Sequence, residues 1–213
     1  MRGARIALVA GLTLLAIAIG FTLLRSPLSV AATNKPRGEE EEVIASTRRG
    51  TSYCQAGETL PRGTSAIRVS LRAALGPRLR LVVSSGGHPI TGGEQASGWT
   101  GWVVSAPVRP LPRTVSGVMI CVSFQVQHET LVLFGKKTPA AIGAREGQRP
   151  LQGRMWIEYL RPGTRSWASL ASSIVRNMGF GRADGGVGIV ILALALLTAV
   201  AALASSLLFV ELR

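Results

Sequence analysis

Aromatic residues make up only 5% of the 213-residue chain, and histidine and cysteine occur twice each. Two cysteines exclude a disulfide-dense mini-protein, and two histidines far apart in sequence, His88 and His128, make a poor zinc site. No G-x-S-x-G, S-x-x-K or H-E-x-x-H motif is present, so the familiar serine and zinc hydrolases have no sequence signature here. The glycines of Ser84-Ser85-Gly86-Gly87-His88 are not followed by a helical pattern, which disfavours a phosphate loop. Carboxylates are scarce too: 11 acids face 24 Lys and Arg, a formal charge of +13. The acids of the central region, Glu58, Glu94, Glu129, Glu146 and Glu158, form no pair in sequence. No cofactor or metal is expected.

What the chain does have is apolar and local. Ile6 to Leu24 contains no charge, and as a helix it would reach roughly 29 Å, close to the hydrocarbon thickness of a bilayer. Arg2 and Arg5 precede it like the charged start of a secretory signal, and Val30-Ala31-Ala32 offers a cleavage site. The run is longer than a usual signal core, which favours an uncleaved anchor. Val187 to Val210 is a second uncharged run, long enough to span with some tilt. Neither run carries a charge, which disfavours a transporter or proton relay. Small residues recur four apart in both (Ala7 and Gly11, Ala195 and Ala199), a face suited to close helix packing.

The sequence therefore predicts residues 1–5 and 211–213 in the cytoplasm, transmembrane helices over 6–24 and 187–210, and the middle outside the cell. All but three of the 24 Lys and Arg lie in that middle. A region so long is translocated largely regardless of charge, and the first helix with its arginines usually sets the orientation. The reverse orientation would offer a basic domain to cytoplasmic nucleic acid, the less favoured partner.

Residues 25–50, with Pro27, Pro36 and Glu39 to Glu42, show no apolar periodicity and read as a flexible stalk. Over 51–162 short alternating runs, such as Ile67, Val69 and Leu71 against Arg68, Ser70 and Arg72, are separated by Gly and Pro pairs. That is the pattern of an all-β sandwich, of immunoglobulin-like or jelly-roll topology. Gly86-Gly87 and Gly92-Gly93 are read as turns between strands. Over 164–178 the period lengthens: Trp167, Leu170, Ala171, Ile174, Val175 and Met178 make one apolar stripe, an amphipathic juxtamembrane helix that either lies at the membrane surface or packs on the sandwich.

Cys54 and Cys121 both fall in expected strands, and two cysteines in an extracytoplasmic domain are most simply one disulfide stapling an early strand to a late one. Closing about 68 residues would contribute on the order of 4 kcal/mol in the chain-entropy model. The competing use is an anchored envelope enzyme. An anchor followed by a β-domain, with Cys121 beside His128 or His88, resembles a sortase-like cysteine transpeptidase, although Val118-Met119-Ile120-Cys121 lacks the threonine-rich approach of that family. A glycan-processing enzyme is the other enzymatic alternative.

Binding candidates are Trp99 and Trp102, three apart and so on opposite sides of a regular strand: one would be core and the other an exposed stacking platform, although the favoured structural alternative is that both are core. Three lysines leave 21 arginines among the 24 basic residues, and Arg68, Arg72 and Arg109 are the arginines singled out for a cationic surface. The function expected is a non-enzymatic, membrane-anchored envelope protein. Besides the lipid bilayer, its partner would be an anionic envelope polysaccharide or lipid, another glycan, or a neighbouring membrane protein.

Overall fold

A computed structural model describes residues 2–36, 38, 40–125 and 129–170. The chain forms two compact units, one of residues 1–27 and 163–213 and one of residues 28–162.

In the first unit, helix α1 covers Arg2–Leu24, as the β-turn-free apolar run dictates, and ends just before Ser26-Pro27. Its side chains are described for residues 10–15 and 17–24. Among the described residues no helix is long and apolar enough to cross a membrane, so 6–24 has its helix without being shown as a crossing. A helical turn begins at Trp167, where the sequence places the amphipathic helix. The rest of that stripe, the run over 187–210 and the tail at 211–213 lie outside the described residues.

The second unit is all β. Its strands are β1 Leu28–Thr33, β2 Glu42–Thr47, β3 Thr51–Leu60, β4 Ala66–Val69, β5 Leu71–Arg72, β6 Leu79–Ser85 and β7 His88–Gln95. They continue with β8 Val104–Pro107, β9 Val115–Phe124, β10 Leu131–Lys136, β11 Arg145–Glu146, β12 Arg149–Pro150, β13 Arg154–Met155 and β14 Ile157–Pro162. One layer is a six-stranded sheet in the order β12-β11-β3-β9-β6-β7. The other consists of two short sheets, β1-β14-β4-β8 and β13-β10-β2 with β5 beside β10. Main-chain bonds at their junction, Phe134 N–H to Ser70 O at 3.0 Å and Ser70 N–H to Trp156 O at 3.2 Å, join the two into one interrupted layer. All pairings are antiparallel.

Inward side chains of both layers meet in a single core. Ile67, Val69, Val104 and Tyr159 come from one side, together with Leu131 and Leu133 of β10, and Leu79, Leu81, Val118, Ile120 and Val122 from the other. The expected sandwich is therefore present, but it starts earlier than residue 51. The expected stalk over 25–50 is corrected: β1 pairs with β14, and β2 pairs with β10. Alternation within Leu28-Ser29-Val30-Ala31-Ala32 and β-branched residues in Glu42–Thr47 suit a half-buried edge, while Lys35 and Lys137 neutralise Glu41 and Glu42.

Gly92-Gly93 is likewise no turn but the middle of β7. A Cβ on Gly93 would lie 1.6 Å from the Pro107 carbonyl oxygen. The glycine is there so that two backbones can approach.

Candidate binding surface

Arg72 sits on β5, opposite Val132 of β10. Directly after it, residues 73–76 are clasped to residues 98–101 by main-chain bonds, among them Gly76 N–H to Trp99 O at 2.7 Å and Ala73 N–H to Gly101 O at 3.3 Å. The clasp delivers the two tryptophans to different fates. Trp99 is half-buried against the core, its indole N–H donating to Pro77 O at 2.8 Å. A Cβ on Gly76 would fall 2.0 Å from the Trp99 ring, so that ring position requires a glycine. Trp102 is turned outward and 52% exposed. Its ring lies 5.5 Å from that of Phe134 at 45°, and the Arg72 guanidinium covers it at 4.2 Å. Phe134 is buried and stands outside the main core cluster. The tilted aromatic pair and the cation over the ring are both favourable electrostatic geometries. Val103 and Val43 add exposed apolar surface.

The other sequence candidates are not part of this stack. Arg68 pairs with Glu158 at 3.1 Å and donates to Ser105 Oγ at 3.3 Å, on the outer face of β14, β4 and β8. Arg109 follows β8 in an exposed proline-rich loop, its carbonyl accepting from the Thr91 hydroxyl at 2.8 Å. Of the five binding candidates, Arg72 and Trp102 are brought together, Trp99 supports them through the clasp, and Arg68 and Arg109 lie elsewhere.

Cys54 and Cys121 form a disulfide. They occupy directly opposite positions on neighbouring strands β3 and β9. The bond therefore staples adjacent strands of one sheet, not distant layers, although 67 residues separate its ends. In this state Cys121 has no thiolate to offer a transpeptidase, whose reaction requires one. His88 is exposed at the start of β7, and His128 lies outside the described residues. A shallow groove of about 550 Å³ runs beside the disulfide, and another of about 370 Å³ is lined by Arg80, Ser123 and the Arg78–Glu94 ion pair.

The sequence reading passed over one polar constellation. Glu58, 4% exposed, accepts from Asn34 Nδ2 at 3.1 Å, Tyr159 Oη at 3.0 Å, Gln55 Nε2 and Arg154 Nη2. Gln55 and Asn34 also accept the N–H groups of Met155 and Ile157, at 2.6 and 2.8 Å. Burial by itself pushes the Glu58 carboxyl up, but the four donors outweigh it and hold it below its usual range. Burial and the neighbouring carboxylate push the Tyr159 hydroxyl well up. With every acceptor of Glu58 engaged, the cluster is a structural lock between β3 and the β13–β14 segment. Its one signal in the sequence is Gly57: at φ 75° it sits where the register shifts, which returns Glu58 to the inward phase of Leu60.

No family model and no curated protein matches the chain. Among solved structures it is similar to CsCBM6-3 from Clostridium stercorarium in complex with cellobiose, at 11% identity and a TM-score of 0.28, over 51% of this chain and 90% of that one. It is also similar to TmCBM61 in complex with β-1,4-galactotriose, at 16% identity and a TM-score of 0.25, over 64% and 88%. Likenesses of this size carry no weight for ligand or fold, and the sandwich stands on its own strand pairing and shared core.

Proposed function

We propose that this protein is a non-enzymatic, membrane-anchored envelope component whose β-sandwich binds an acidic glycan through Trp102 and Arg72. The observation that carries the reading is the exposed indole with a guanidinium held 4.2 Å over it. A neutral sugar stacking on that ring must displace the guanidinium, giving up a cation–π contact of about 0.5–1 kcal/mol. An acidic sugar offsets that loss, because its carboxylate pairs with the displaced arginine fork while its ring packs on the indole. The uncharged run over 6–24, preceded by Arg2 and Arg5, supplies the anchor, and the domain faces outward in an oxidising compartment that suits its disulfide.

The test is binding of residues 28–162 to polygalacturonate and to its methyl-esterified form, which keeps the sugar rings and loses the charge. Polygalacturonate should bind with an affinity that falls as salt rises, and the ester should bind more weakly. Arg72→Gln and Trp102→Ala should each weaken binding at least about fivefold. Binding that ignores both substitutions, or no binding at low salt, would overturn the reading.

A further inference from the structure

A second basic surface lies apart from Trp102. Arg62 follows β3, Arg109 and Arg113 lie in the loop after β8, and Arg161 is near the end of β14; all four are exposed. Main-chain bonds gather these segments. Gly63 N–H donates to Leu111 O at 3.0 Å, Val108 N–H to Ser65 O at 2.9 Å and Ser65 N–H to Leu160 O at 2.8 Å. Arg62 N–H adds a bond to Thr114 Oγ1 at 3.1 Å. Pro61, Pro107, Pro110, Pro112 and Pro162 fix the backbone between and beside the arginines, so that little entropy remains to be lost on binding.

Among the described residues none of these four arginines has an ion pair. The described acids that do pair are held by other partners: Glu41 by Lys35, Glu42 by Lys137, Glu58 by Arg154, Glu94 by Arg78 and Glu158 by Arg68. An unpaired guanidinium cluster at one end of a sandwich is an anion site waiting for a counter-charge.

The register identifies which end it is. Leu28 pairs with Pro162, Leu160 with Ala66, and Ala66 with Pro107. The first and last residues of the sandwich therefore leave it beside the arginines, three residues after α1 ends at Leu24 on one side. Three to four residues reach at most about 14 Å.

We infer that Arg62, Arg109, Arg113 and Arg161 form a collar that docks on anionic phospholipid headgroups through their phosphodiesters. The inference rests on the anchoring part of the proposed function, because the anchor is what brings this end to the bilayer. Its chemistry is bidentate arginine–phosphate pairing at the surface of an anionic leaflet.

The test uses residues 28–162, which among the described residues contain the core cluster, every strand and the disulfide but no α1. Co-sedimentation is measured with phosphatidylcholine vesicles, with and without phosphatidylglycerol. The domain should bind only the vesicles containing phosphatidylglycerol, losing about fivefold in partitioning per arginine changed to glutamine. Arg72→Gln should leave vesicle binding unchanged. Equal binding to both vesicles, no binding to the anionic ones, or wild-type binding by the Arg62→Gln, Arg109→Gln, Arg113→Gln, Arg161→Gln variant would overturn the collar. So would loss of polygalacturonate binding with vesicle binding intact, which would assign these arginines to a glycan. The anchor is judged separately, by whether the full chain stays with membranes under high-salt extraction.

Discussion

Glu58 is the residue on which the two layers are locked. Removing its carboxylate leaves donors from Asn34, Gln55, Tyr159 and Arg154 facing a void, and Glu58→Ala should cost about 3 kcal/mol of stability in urea denaturation. Its carboxyl is held below the ordinary value of 4.5 in the folded chain. Its contribution is therefore complete above that value and is lost as the pH falls through the lower folded one. The urea midpoint of the parent domain should drop more steeply below pH 4.5 than that of the Ala variant. At this scale the sequence was partly legible. The spacing of Trp99 and Trp102 raised a split between a core and an exposed ring without deciding it against both being core, and it did not say which would be exposed. That choice depends on Gly76, whose missing side chain admits the Trp99 ring. Of the partners of Glu58 only Gln55 is near in sequence; Asn34, Arg154 and Tyr159 lie 24, 96 and 101 positions away and were not legible.

Strands whose apolar residues alternate, such as β4, β6 and β9, could be read from the sequence because one of their faces is buried. β7 could not. Its His-Pro-Ile-Thr-Gly-Gly-Glu-Gln has almost no apolar face, and its glycines, which normally punctuate strands, serve backbone contact with Pro107. Gly93→Ala should force β7 and the end of β8 apart and destabilise the domain by about 2 kcal/mol, read from a chemical denaturation midpoint. β1 and β2 escaped for a different reason. They are six-residue strands on the rims of the second layer, and the glutamate run beside them looks like solvated linker until its lysine partners are known.

The whole domain depends on those rims. Residues 51–162 look self-sufficient as a pattern of alternating runs, yet they lack β1, β2 and Asn34. The fragment 51–162 should show no cooperative thermal transition by circular dichroism, whereas 28–162 should melt in one step. A native-like melt of the shorter fragment would show that the rims are ornament. The bond from the Thr33 hydroxyl to Ile157 O at the end of β1 spans 124 positions, a separation that no local sequence window can reveal and that places this fold among the slower ones to form.

The pairing of Leu28 with Pro162 also has a mechanical meaning. The chain enters and leaves the sandwich through adjacent ends of two antiparallel strands. Tension applied between residues 27 and 163 would therefore act across the β1–β14 ladder, opening its bonds one after another like a zipper instead of shearing them together. The Cys54–Cys121 bond lies in the other layer and would not resist that first opening. Under load, the domain would yield first by peeling away β1, and with it the Asn34 that reaches into the Glu58 lock.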